Sequence, residues 1–294
     1  RQHDIMQWRG GAQELLDFRA ETGEEGLWTN SMFSGMPGYL VNVHFSGDGI
    51  AIVHQMYSLW LPHPVSAIFI ALVSFYILLL TFGVRPYLAI GGSIAFAFTS
   101  FTLISLEAGH NAKVIAIAYM PLILAGIHLA FRQYKFLGFS LTALAMALQL
   151  NVNHLQITYY LLLIVLIYGA VMLYHAYKDK TLKQFFGTIL VLVGAVILAL
   201  GANAGRILTT LEYSEYSIRG KSELTAQQDV AVGSGLDRDY AFEWSSGIGE
   251  TMTLLIPGFY GGATQENVGM NSNLGEALSN NNVPPAQVQQ ATAN

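Results

Sequence analysis

Cysteine is absent from the 294 residues, which excludes a disulfide framework, a thiolate metal site and a cysteine nucleophile while fitting either redox compartment. Charge is also scarce. Charged residues make up 11% of the chain, the formal net charge is -5, and no basic run carries interleaved aromatics, so nucleic acid is not an expected partner. No Walker loop, dinucleotide fingerprint, nucleophile elbow or zinc-protease pattern occurs, which argues against a soluble nucleotide-driven enzyme. There is no internal repeat of fixed period. The opening Arg1-Gln2-His3-Asp4 has no initiator Met, basic n-region or apolar h-region, so neither a signal peptide nor a first anchor is visible. The chain therefore reads as a fragment, with a membrane helix expected before Arg1.

What is abundant is apolar surface, at 53% of the residues, and it falls in blocks rather than at amphipathic spacing. Six blocks approach the roughly 20 residues that cross a bilayer core: Val65–Val84, Tyr87–Leu106, Val114–Phe131, Phe136–Leu150, Leu155–Tyr174 and Phe185–Ala202. An all-α polytopic membrane protein is the expected class. Residues 1–64 read as a first extracytoplasmic loop with an amphipathic helix over Ile5–Phe18, residues 65–207 as six transmembrane helices, and residues 208–294 as an extracytoplasmic segment. The fourth block is short. Counting it as a span puts Arg85, Arg132 with Lys135, and Lys178 with Lys180 and Lys183 on one side, which the positive-inside rule makes cytoplasmic. Of the acids, only Asp179 falls in those loops.

Smaller signals refine this picture. The Gly and Pro of Leu27–Tyr39 predict an ordered loop with tight turns, whose aromatics suit a covered surface. Gly187, Gly194, Gly201 and Gly205 mark one side of the sixth block and predict close approach of a neighbouring helix. Met252–Tyr260 is too short to cross and contains Pro257. From about Gly261 the composition predicts disorder or a truncated tail.

Polar chemistry gathers at one set of block ends. Glu107-Ala-Gly-His110-Asn111-Ala-Lys113 joins two apolar runs, and Asn151-Val-Asn153-His154-Leu-Gln156 joins two more. Charge is costly there unless it is paired or used. Glu107 is paired with Lys113, catalytic or metal-bound; Lys113, with Arg206 or Arg219 as a second cation, either snorkels or holds an anionic headgroup such as a lipid phosphate. Asp4 is either a helix-capping carboxylate or a general base. Asn151 and Asn153 suit a turn, and His154 beside Gln156 is either simply hydrogen-bonded or a donor to sugar or phosphate. His3, His110 and His154 with Asp4 and Glu107 could in principle hold a divalent metal, but they lie on separate elements without the spacing of a metal motif.

Four separated motifs carry a resemblance: Gln2-His3-Asp4-Ile5-Met6-Gln7, Leu27 to Pro37, Glu107 to Lys113, and Asn153-His154-Leu-Gln156-Ile-Thr-Tyr159-Tyr160. Together they resemble the bacterial YfhO-like membrane proteins over most of the chain to about Gly262. That family is similar to the GT-C class of membrane glycosyltransferases. The resemblance implies a GT-C-like transmembrane helix bundle with extracytoplasmic loops, placed in the bacterial inner (cytoplasmic) membrane. It implies a polyprenyl-phosphate sugar donor, an envelope glycan, lipid or protein acceptor, and no required cofactor, a divalent metal being optional. By position Asp4 and Glu107 would be the catalytic carboxylates. His3, His110, Asn111, Lys113, Asn153, His154, Gln156 and Arg219 would bind substrate. The alternative is a lipid or glycolipid transporter or an envelope-assembly scaffold. Transport predicts polar groups near mid-membrane on broken helices, and the blocks offer only Ser74, Ser93 and His128 as such exceptions.

Overall fold

The computed structural model describes residues 3–41, 48–214 and 267–293, with short pieces between them at 216, 242–243, 245, 247–254, 256 and 259; for His3, Asp4 and Leu254 only the backbone is described. The described residues form an all-α protein, 76% of them helical. The chain forms two compact units, residues 1–232 and 233–294.

In the first unit α1 (His3–Thr22) carries the expected amphipathic stretch and extends it by a turn. Ala12 and Leu15 are buried against Val41, with Trp8, Met32 and Met36 packed around them. The following loop is ordered, as its turn residues predict. Trp28–Thr29 (β1) and Met36–Pro37 (β2) pair antiparallel, Trp28 opposite Pro37. Gly35 closes the hairpin at φ +121, where a Cβ would also meet the Trp28 ring at 2.8 Å. Glu14 ties this hairpin to α1: its carboxylate accepts from Thr29 Oγ1 at 2.6 Å and from the Asn30 and Ser31 backbone N–H groups.

Helices follow in place of the apolar blocks: α2 (Gly49–Tyr57), α3 (Val65–Thr81), α4 (Pro86–Ala97), α5 (Ser100–Ala108), α6 (Asn111–Phe131), α7 (Lys135–Asn151), α8 (Leu155–Lys178), α9 (Leu182–Ala202) and α10 (Ala204–Ser214). Among the described residues three are individually long and apolar enough to cross a membrane, namely α6, α8 and α9; the bent pair α4 and α5 reaches that length and apolarity only when taken as one span. This is a membrane protein, and the apolar flanks of α8 and α9, with Ile167, Leu190 and Ile197 exposed, suit lipid rather than water.

Three of the expected spans take a different form. The second block is not one helix: α4 and α5 meet at a 42° bend. The cause is local, since Thr99 leaves helical geometry at ψ 148 and its side chain caps α5 by accepting from Thr102 N–H. The first and fourth blocks yield helices of 17 residues each, α3 and α7, and neither is among the helices long and apolar enough to span, although both blocks were expected to do so.

The centre of the bundle is α6. Tyr119, Leu122 and Ile123 are buried among Ile70 and Ala71 of α3, Ala145 and Leu148 of α7 and Leu161 of α8. The tight helix pair is α6 with α7. A Cβ on Gly126 would meet the Thr142 backbone N at 2.7 Å, and one on Gly138 would meet the Ala130 backbone N at 2.5 Å. The glycine stripe of α9 and α10 does not provide the expected close approach. A Cβ at Gly201 or Gly205 meets no described atom within 4 Å, and Gly187 and Gly194 reach only side-chain tips. Small residues permit contact but do not bring a partner.

α2 lies within the segment expected as the first loop and packs one side against the bundle, with none of its residues fully buried. Ile50 packs near Ala147, Leu150 and Ala199, while Val53 and Tyr57 reach the central core. At its far end Tyr57 Oη meets Ser74 Oγ at 3.2 Å, nine residues into α3, or about 13 Å along the helix axis at ~1.5 Å per residue. Residues 58–64 then return to the start of α3.

In the second unit α11 (Asn273–Asn280) and α12 (Pro285–Thr292) form where disorder was expected. Ser272 caps α11 by accepting from Gly275 N–H at 3.2 Å, and the Val268 and Gly269 N–H groups bond to Thr292 O. Val288 and Thr292 are buried, which supplies the small core that composition did not reveal. Met252, Ile256 and Phe259 are exposed within this unit.

Candidate functional site

Helix order brings the polar corners to one end of the bundle. Ala67, Leu106 and Val114 cluster together, so the start of α3, the end of α5 and the start of α6 share that end. α7 runs antiparallel to α6, with Gln149 Nε2 donating to Ala116 O at 3.0 Å. Its end and the start of α8 therefore lie at the same level. At the opposite end Phe82, His128, Phe131, Tyr168 and Phe185 meet through ring contacts.

The Glu107–Lys113 stretch is a helix-to-helix corner. Gly109 closes α5 in the left-handed region at φ +95, its N–H bonding to Leu106 O, and His110 N–H bonds to Ser105 O. His110 then stands at the N-cap of α6, Asn111 is its first residue, and Lys113 lies in its first turn. Lys113 Nζ is 3.5 Å from His110 Nδ1. A cation in the first turn of a helix opposes the helix dipole, a cost that a bound anion relieves.

The second corner supplies His154. Asn153 turns the chain at φ 59, and His154 is the N-cap of α8. Burial pushes the His154 imidazole below its ordinary value; Lys113 and His110 push it the same way, against a local backbone hydrogen bond. His154 is thus close enough to Lys113 and His110 to feel both. Its Nδ1 is buried without a hydrogen-bond partner.

The structure therefore gathers His110, Lys113 and His154, with Asn111 beside them. Glu107 occupies the last turn of α5, exposed, with no ion pair to Lys113 or other described partner. Asn153 is exposed, and Gln156 spends its amide on Tyr160 Oη at 2.6 Å. His3 and Asp4 open α1 with their side chains outside the described residues, and Arg219 lies outside them altogether. Among the described residues no three His, Asp or Glu side chains are grouped to hold a metal ion.

A second polar group at this end was not singled out in the sequence. Asp48 caps α2, accepting from Ala51 N–H at 3.0 Å with Oδ1, while Oδ2 accepts from Asn151 Nδ2 at 2.9 Å and from Arg206 Nη2 at 3.4 Å. Arg206 also donates to the Asn151 backbone carbonyl. Burial alone would raise the Asp48 carboxyl, but the Asn151 and Ala51 hydrogen bonds and the Arg206 charge outweigh it and hold the group below its ordinary value. Arg206, a candidate second cation for a headgroup, is thus already neutralised. One local signal existed, an Asp two residues before the apolar run Ile50–Val53, which is an N-cap pattern.

Compared with family models, curated proteins and solved structures, the chain matches none.

Proposed function

We propose that this protein is a membrane glycosyltransferase of GT-C type, related to the YfhO-like proteins. It would move a sugar from a polyprenyl-phosphate donor to an envelope acceptor on the extracytoplasmic face. The observation that carries this reading is the gathering of His110, Lys113 and His154 from two helix corners at one end of an apolar bundle. A lipid phosphate arriving from the bilayer meets there a cation and the N-terminal turns of α6 and α8.

The chemistry is a single displacement. The acceptor hydroxyl gives its proton to a carboxylate, Asp4 or Glu107, and its oxygen bonds to the anomeric carbon as the bond to the phosphate oxygen breaks. The lipid phosphate leaves with the electron pair, its charge stabilised by Lys113. Configuration inverts. The exposed, unpaired Glu107 is accessible to an acceptor. The test is transfer of labelled sugar from a polyprenyl-phosphate donor by the full-length protein and by its Asp4→Ala, Glu107→Ala and Lys113→Ala variants. Activity unchanged in all three would remove the mechanism.

A second reading, transport of a lipid or glycolipid, gains from the bend between α4 and α5 and from the packing of α2 against the bundle. Discontinuous helices at depth are what transport uses. Movement of a labelled glycolipid across vesicle leaflets without covalent change would select it.

A further inference from the structure

The cleft bounded by Asp48, Gly49, Asn151, Ala202, Asn203 and Arg206 encloses about 400 Å³, within the range of small-molecule sites. The transfer chemistry above makes no use of it. Its charge is already balanced, because Arg206 and Asp48, with 25% and 17% of their side chains exposed, form an ion pair across the first loop and the α9–α10 corner. Asp48 has spent its lone pairs on Ala51, Asn151 and Arg206, so it is not a free base.

What is left over is a mixture of donors and acceptors. A guanidinium carries five N–H groups. Arg206 commits one to Asn151 O and one to Asp48. The amide nitrogen of Asn151 is committed to Asp48, and that of Asn203 to Ala147 O and Ala199 O. The side-chain oxygens of both Asn residues accept from no described donor and are the free ends of those amides. A phosphate would satisfy the Arg206 donors but would face the Asp48 carboxylate and two amide oxygens. A hydroxyl donates and accepts at once, and so suits both kinds of free group.

We infer that this cleft is a binding site for a neutral, hydroxyl-rich group such as a sugar ring, presented either by a membrane glycolipid or free in solution. Binding here does not depend on sugar transfer, so the inference stands or falls separately from the proposed activity.

The test uses the purified full chain in nanodiscs with four probes: digalactosyldiacylglycerol, its deacylated head digalactosylglycerol, phosphatidylcholine and inorganic phosphate. Galactosyl probes are expected to bind in preference to phosphatidylcholine and phosphate. Binding of the intact lipid alone identifies a membrane glycolipid as the source; equal binding of the deacylated head identifies a free sugar. Arg206→Lys keeps the ion pair but loses the forked donors, and should weaken galactosyl binding by about five-fold or more. Asp48→Asn keeps a helix cap but frees the Arg206 charge, and should turn preference toward inorganic phosphate. Preference of the unaltered protein for phosphate, absence of galactosyl binding, or galactosyl binding unmoved by both substitutions would overturn the inference.

Discussion

His54 Nδ1 lies 2.8 Å from the hydroxyl of Tyr119, joining the helix that packs against the bundle to the helix at its centre. Tyr119 is fully buried and sits eight residues into α6, about 12 Å from its start at ~1.5 Å per residue. The pair holds α2 against α6, and the Tyr57 ring lies 6.1 Å from that of Tyr119.

Tyr119→Phe should therefore destabilise the protein by about 1–3 kcal/mol, since it leaves a polar group on α2 short of a partner in an apolar setting. His54→Ala should do the same, and the double variant should lose less than the sum. Thermal unfolding in detergent measures the coupling. Additive losses would show that the contact does not hold α2 in place.

Gly126→Ala and Gly138→Ala should each destabilise by about 1–3 kcal/mol, because the added methyl meets backbone atoms that cannot give way. Gly201→Ala should leave stability unchanged. Unfolding midpoints of the three variants under one detergent condition make the comparison, and a Gly201→Ala loss as large as the other two would place the close helix contact elsewhere.

His154 titrates below its ordinary value of 6.5, chiefly through burial. A group depressed in the folded state stabilises above its unfolded pKa, and that contribution is lost as pH falls through the folded pKa. Stability should thus decline from about pH 7 downward, and His154→Gln should flatten that decline. A phosphate-bearing lipid should act oppositely, raising the His154 pKa and protecting the protein at acid pH. An unchanged pH profile in His154→Gln would rule out this group as the source.

The apolar blocks became helices over nearly their sequence-read ranges because hydropathy is local and each block carries enough of it. The corner at Gly109 was legible too, since a glycine between two runs marks a helix end. The packing of α2 against the bundle was not. Its nine residues are too few to read as a span, and its partners Tyr119 and Ser74 come from helices whose neighbours no local pattern names. Asp48 and Arg206 stand 158 residues apart, so their pairing left no mark beyond the cap signal before Ile50. The glycine stripe of α9 failed for the converse reason: the α6–α7 contact is decided by which backbones meet, at Gly126 and Gly138, and not by how regularly glycine recurs.

By itself the sequence determined the class of molecule, the helical blocks and the polar character of the corners between them, all consequences of residue chemistry over a few turns of chain. Only the tertiary structure decided that the corner of His110 and Lys113 lies beside that of His154, that Arg206 is paired with Asp48, and that a short helix before the first apolar block packs against the bundle. Those outcomes depend on how helices stack, and stacking sums many weak contacts between distant segments.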